Sequence, residues 1–184
     1  TYTLSDGIEM SILYNYFYEH DSADENNYSV CVLFSQGDRH FLFTGDLEEE
    51  GEEYLVQYND LPQVELFKAG HHGSKTSSNE CLLEVIRPEI VCVCCCAGTD
   101  EYTDIKENQF PTQAMIDRIA PYTDAVYVTS QFADNGDGYT SMNGNIVVTS
   151  SAGSNVTVRG SVNDVKLKDT AWFLENRTMP QVWA

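Results

Sequence analysis

The sequence predicts an α/β layered fold with a mixed sheet and flanking helices, and three observations carry that prediction. Strand-like and helix-like segments alternate through the middle of the chain, β-rich runs gather at both ends, and the helical segments carry start and stop signals. The chain opens on a strand-like alternation from Thr1. "YSVCVLF" (28–34) and "HFLFTG" (40–45) are β-rich runs joined by the turn-like "SQGD", which predicts a hairpin. "LEEEGEEYLVQYND" (47–60) reads as a helix whose acidic first turns are solvated and complement the positive end of the macrodipole. "VELFKAG" (64–70) reads as a strand and "SSNECLLEVIRP" (77–88) as a helix, with Ser77 and Glu80 at capping-box spacing and Pro88 as the stop. "EIVCVCCC" (89–96) is expected as a buried strand, "PTQAMIDRIAP" (111–121) as a helix with Pro111 in its first turn, and "DAVYVTS" (124–130) as a strand. Beyond about residue 138 the Asn143-Gly144 pair sits between two β runs and predicts a further hairpin. "NVTVRG" (155–160) adds a strand, and residues 169–184 read as a short helix and tail packed back by Trp172, Phe173 and Trp183.

A chain of 184 residues can bury a sizeable core in one domain, so residues 1–184 are expected to form a single unit. No stretch approaches the roughly 18 to 20 apolar residues of a membrane span, and Thr1-Tyr2-Thr3 lacks the regions of a signal peptide. A start without Met reads as a piece of a longer protein. The formal net charge of −19 repels nucleic acid and anionic membranes, so an anionic substrate would need a local cation such as a bound metal. Of six cysteines, Cys92, Cys94, Cys95 and Cys96 lie in one apolar run. Neighbouring strand residues point to opposite faces, so the run predicts buried thiols rather than a tetrahedral metal site, and favours a reducing, cytoplasmic setting.

Two predicted strand ends draw the chemistry. "FLFTGD" ends in Asp46, and "LFKAGHHGS" ends in His71 and His72. Residues just beyond the carboxyl ends of neighbouring strands converge on one crevice, so Asp46 and His71 can meet across 25 positions. A carboxylate can bridge two cations and an imidazole can supply a further bond. Equally, Asp46 can cap the following helix and the histidine pair can form a hydrogen-bonded turn.

The words "NNYSVCVLF", "HFLFTGDLEEEGEEYL" and "VELFKAGHHGSKTSSNECLLEVIRPEIVCVC" resemble the metallo-β-lactamase-fold domain at the C-terminus of ComEC-type competence proteins, and related stand-alone hydrolases. The resemblance covers residues 26–150, leaving 151–184 as a strand and helix/tail extension. It implies a metal-dependent hydrolase with two divalent ions, zinc or manganese, in the intact protein. Asp46 would be the bridging ligand and His71 the terminal histidine ligand, with His72 a supporting partner or the alternative ligand. Ser74 and Lys75 would lie at the mouth, where an ammonium can meet a phosphate oxygen, and Asn27 and Ser29 would orient the site loop. Such metals lower the pKa of bound water toward roughly 7, and the resemblance favours phosphodiester hydrolysis, nuclease-like in the intact protein, over β-lactam opening. The charge fits a small phosphodiester or a single-stranded end better than a long nucleic-acid footprint.

The chain also departs from the family pattern. The H-x-H-x-D-H motif is missing, His20 and His40 are isolated, and Phe110 stands where a later histidine of the family is expected. Two protein ligands do not hold a dinuclear site, and a catalytic zinc normally has three. The chain therefore reads as the C-terminal half of an αββα sandwich, binding metal weakly or not at all alone, with its open sheet face covered by the missing half or another copy. A membrane-anchored parent is compatible with the resemblance. The alternative is a degenerate, non-catalytic binding or assembly module of the same fold.

Overall fold

The computed structural model describes residues 1–133 and 138–184. Eight strands form one mixed sheet in chain order: β1 (Tyr2–Ser5), β2 (Ile8–Ile12), β3 (Val32–Gln36), β4 (Arg39–Phe43), β5 (Leu66–Lys68), β6 (Ile90–Ala97), β7 (Val126–Ala133) and β8 (Gly138–Ser141). β1 to β4 pair antiparallel, β4 to β7 parallel, and β8 returns antiparallel on β7. Each parallel pairing is bridged by a helix: α1 (Glu49–Tyr58), α2 (Glu80–Ile86) and α3 (Gln113–Ile119).

The two faces of the sheet differ, because side chains alternate along each strand. Leu33, Leu42, Phe67, Val91 and Val126 stand in one cross-strand row. They are buried in a core shared with Leu55 of α1, Leu82, Leu83 and Ile86 of α2, and Met115, Ile116 and Ile119 of α3. The opposite face carries the row Met10, Phe34, Phe41, Leu66, of which Phe34 and Phe41 are only half-buried.

Part of that second face is sheltered by a separate ribbon, β9 (Ile146–Thr149) with β10 (Thr157–Gly160). Val148 lines a cavity of about 270 Å³ with Ile8, Phe34, Phe41, Phe43 and Leu66. Arg39 fastens the ribbon by donating to Ser150 Oγ at 3.0 Å, to the Ser151 carbonyl at 2.8 Å and to the Ser154 carbonyl.

The hairpin expected around Asn143-Gly144 does not form: β8 pairs with β7, and β9 with β10. Asn143 is buried instead. Its Nδ2 donates to the carbonyls of Val128 and Val165, both at 3.0 Å, and its Oδ1 accepts the Val165 N–H at 2.8 Å. A side chain engaged with two other segments leaves its residue unable to serve as a free hairpin turn. The end of the chain packs as a short helix, α4 (Ala171–Asn176), and a tail whose Trp183 donates to the Thr123 carbonyl.

Two helix starts also differ from expectation. The N-cap of α2 is Asn79, not Ser77, and Ser77 Oγ donates to the Leu47 carbonyl at 2.7 Å. Pro111 precedes α3, which is capped by Thr112 through the Met115 N–H. No helix among the described residues is long and apolar enough to cross a membrane.

Candidate functional site

β4 and β5 are parallel neighbours, and the turns that follow them, residues 44–48 and 70–76, meet past their carboxyl ends. A backbone bond ties them: the His71 N–H donates to the Gly45 carbonyl at 3.1 Å. The loop before β3 braces the first turn. Ser29 Oγ accepts the Asp46 N–H at 3.0 Å, and the Oδ1 of buried Asn27 accepts the Glu48 N–H at 3.3 Å. Gly45 has φ +60°, and a Cβ there would lie 3.0 Å from both Cβ and Oγ of Ser29.

The histidine turn is conformationally unusual. His71 (φ 43°) and His72 (φ 55°) both occupy the left-handed region, as does Ser78 (φ 59°). For non-glycine residues this strain is of order 1–3 kcal/mol each and persists only when the surroundings impose it. Here the imposing contacts are visible. Ser74 donates its N–H to the His71 carbonyl at 2.9 Å, and Gly73 O accepts from both the Thr112 N–H and the Thr112 hydroxyl.

The two imidazoles face different partners. His72 Nε2 lies 3.7 Å from Asp46 Oδ1, and its Nδ1 lies 2.7 Å from the Cys94 carbonyl. A carbonyl can only accept, so Nδ1 donates in that second contact and the Nε2 edge is turned toward Asp46, the way metal-ligating histidines are oriented by a backbone carbonyl. His71 Nδ1 lies instead 3.2 Å from Glu48 Oε1, with Thr76 Oγ1 at 3.5 Å, and Thr76 also donates to Glu48 Oε1 at 2.9 Å. The structure thus sets Asp46 against His72, and Glu48 against His71.

Glu48 was hidden in the sequence because "DLEEEGEE" reads as a solvated helix start. Two of its glutamates turn inward. Glu48 joins the site, and Glu52 is fully buried behind it, accepting the N–H groups of Ser78 (2.7 Å) and Asn79 (2.8 Å) and the Asn79 side-chain amide (2.9 Å). Glu52 thus holds Ser78 and the N-cap Asn79 that lead into α2, whose own first-turn N–H groups have no side-chain cap. Burial pushes its carboxyl up to about 7, against the opposing pull of the Asn79 and Ser78 donors and of Arg118. Arg118 of α3 holds the same loop from the other side through the carbonyls of Lys75, Ser77 and Ser78.

The remaining expected residues sit around this pair of turns. Ser74 is buried with its Oγ 3.0 Å from Thr76 Oγ1, and Lys75 is exposed, donating to Asn108 Oδ1 at 2.9 Å. Phe110 covers the histidines, with its ring 5.8 Å from that of His71 and 6.4 Å from that of His72. The cysteine strand is less buried than expected: Cys92 is buried, Cys94 is exposed, and Cys95 and Cys96 are intermediate. The register of β6 on β7 is interrupted between Val93 and Cys96, and a bulge of this kind re-aims the chain. The Cys94 carbonyl is thereby available to His72.

Asp46 and His72 offer metal donors from one side, and Glu48 is committed to His71 and Thr76. Among the described residues, no group of three or more His, Cys, Asp or Glu could hold a metal ion. The donor set present is smaller than the three protein ligands of a catalytic zinc, so by itself it does not fit one.

Residues 20–97, which run from the loop before β3 through β6 and contain both turns, match the model of the metallo-beta-lactamase superfamily. The mixed sheet with flanking helices is consistent with a metallo-β-lactamase-fold domain. Among curated proteins the chain is similar to Recombination protein 2 of Haemophilus influenzae, 30% identical over 106 residues, 58% of this chain and 12% of that protein. It is also similar to ComE operon protein 3 of Bacillus subtilis, 35% identical over 69 residues, 38% of this chain and 9% of that protein. Competence protein ComA of Neisseria gonorrhoeae is 31% identical over 102 residues, 55% of this chain and 14% of that protein. The similarity to competence proteins thus extends over at most 58% of the chain, and the matched segment spans less than a sixth of these relatives.

Proposed function

We propose that this chain supplies one wall of a metal-dependent hydrolase site, and that the intact protein cleaves phosphodiesters with a nuclease-like activity. The observation that carries this reading is the Asp46–His72 pair, held at 3.7 Å past the ends of two parallel strands with His72 oriented by the Cys94 carbonyl. In this reading Asp46 and His72 face the metal, Glu48 and Thr76 fix the His71 ring beside it, and further ligands come from outside this chain. Lys75 is exposed and is assigned to a substrate phosphate oxygen. The charge of −19 supports a small phosphodiester or a single-stranded end as the substrate. The half-covered sheet face bearing Phe34 and Phe41 is assigned to the segment that brings the other ligands.

The test is metal content of the longer protein, measured beside Asp46→Ala and His72→Ala, together with hydrolysis of a generic phosphodiester. Metal in the parent, reduced in both variants along with turnover, supports the reading. Equal, near-zero metal in all three would sink it.

A second reading, a non-catalytic binding or assembly module of the same fold, is favoured by one observation. Phe110 puts an apolar ring against both imidazoles where the family resemblance leads one to expect a histidine. Whether the parent gene encodes H-x-H-x-D-H ahead of Thr1 separates the two.

A further inference from the structure

On the far side of α1 from the buried Glu52, aromatic rings from two segments form one cluster, in which Tyr14 and Tyr58 are exposed and Tyr16 and Tyr54 half-buried. Glu50, Tyr54 and Tyr58 follow at four-residue spacing and share one face of α1. The loop after β2 lays Tyr14, Tyr16 and His20 against that face. The Tyr16 ring lies between His20 (3.7 Å, 5° interplanar) and Tyr54 (4.1 Å, 20°). Tyr58 lies nearly parallel to Tyr16 at 6.0 Å, and Tyr14 meets Tyr58 edge-on at 5.6 Å. Phe17 is buried beneath and meets Tyr54 edge-on.

The rings are held in place before any partner arrives. Asn59 closes both backbone groups of Tyr14, accepting its N–H at 3.0 Å and donating to its carbonyl at 2.9 Å. Yet Tyr14 and Tyr58 remain 38% and 48% exposed, which is more than a core cluster would leave to water. Pre-ordered tyrosines give large contact area at small entropic cost, the property that enriches them in binding surfaces.

Charge selects the occupant. Residues 1–67 hold fifteen acidic side chains and a single basic one, Arg39, which is engaged with the ribbon at Ser150, Ser151 and Ser154. At the surface itself, Glu19 accepts the Tyr14 hydroxyl at 3.1 Å, and Glu50 lies one turn before Tyr54. Aromatic faces with carboxylates at their edge suit a guanidinium, which stacks on a ring while its N–H groups reach the carboxylates. Stacked nucleic-acid bases would bring phosphates into the same field, which opposes them.

We propose that the surface formed by Tyr14, Tyr16, Tyr54 and Tyr58, edged by Glu19 and Glu50, docks an arginine-bearing segment of a partner protein. It is independent of the hydrolase reading and uses none of that site's residues.

The test uses the whole chain and three synthetic peptides of equal length, Arg-Gly, Lys-Gly and Asp-Gly repeats, with affinity measured by titration calorimetry. The Arg-Gly peptide should bind several-fold tighter than the Lys-Gly peptide, and Tyr58→Ala and Tyr14→Ala should each weaken it by roughly threefold to thirtyfold. Neither substitution changes net charge, so that loss separates ring contact from bulk attraction. Both positions are exposed, and unchanged circular dichroism would confirm that the variants fold; if one does not, the other decides. Equal affinity for the Arg and Lys peptides, untouched by either substitution, would reduce the effect to net charge and overturn the proposal. Tighter binding of a single-stranded oligonucleotide, or no binding of the Arg-Gly peptide at low ionic strength, would overturn it as well.

Discussion

His72 presents Nε2 to Asp46 Oδ1 at 3.7 Å while its Nδ1 is engaged by the Cys94 carbonyl, whereas the adjacent His71 turns to Glu48. Two neighbouring residues of the same type thus face different partners. In the longer protein, His72→Ala is expected to lower divalent-metal affinity by at least tenfold and His71→Ala by less. Equilibrium dialysis with zinc and with manganese reads the difference, and equal losses would remove the distinction drawn between them. The 184-residue chain alone is expected to bind either ion weakly or not at all.

Buried Glu52 links the stability of the histidine turn to pH. Its carboxyl is pushed from 4.5 up to about 7, so the folded state holds its proton more tightly than the unfolded chain does. The associated stability is fully present below about pH 4.5 and is lost as pH rises through about 7, a change of order 3 kcal/mol. Urea denaturation at several pH values should show that slope, and Glu52→Gln should abolish it between pH 4.5 and 7. Glu52→Ala strands the Ser78 and Asn79 N–H groups and should cost about 2–5 kcal/mol.

Gly45 can be tested at single-atom scale. A methyl there must fit 3.0 Å from Ser29 Cβ and Oγ at φ +60°, so Gly45→Ala is expected to destabilise by about 1–3 kcal/mol. It should also displace the Ser29 hydroxyl from the Asp46 N–H, visible as faster hydrogen exchange at Asp46. An unchanged melting temperature and unchanged exchange would show that the turn tolerates a side chain.

Asn143→Ala removes three hydrogen bonds that join the stretch between β8 and β9 to β7 and to the segment before α4. A loss of about 2–4 kcal/mol is expected by chemical denaturation, because buried carbonyls and an N–H are left unpaired. A loss under about 0.5 kcal/mol, typical of a surface substitution, would mean that water replaces the amide.

The elements from β3 to β7 were legible because each announces itself locally, by β-branched runs, by acidic helix starts, and by Pro or Gly at the boundaries. Where the sequence misled, the deciding partner was remote. Asn143-Gly144 has the local form of a hairpin turn, but the carbonyls of Val128 and Val165 claim its side chain. Ser77 and Glu80 have the spacing of a capping box, but the N-cap is Asn79, and its N–H is held by Glu52, more than twenty residues away. Asp46 and the histidine pair could be read as candidates from strand ends alone. Which imidazole faces the carboxylate could not, since it depends on an irregularity in β6 that turns the Cys94 carbonyl toward His72.

The eight strands of the main sheet lie side by side in the order in which they are synthesised. No strand has to be inserted between two that are already paired, so assembly can proceed by adding each new strand to a free edge. Every strand pairing in this sheet joins consecutive strands, so no loop to be closed is longer than the connection between neighbours in sequence. On the ribosome, the β4 edge can be in place before β5 emerges and the β5 edge before β6. The turn bearing Asp46 leaves the ribosome first, so it can serve as a template against which the histidine turn takes up its left-handed conformation.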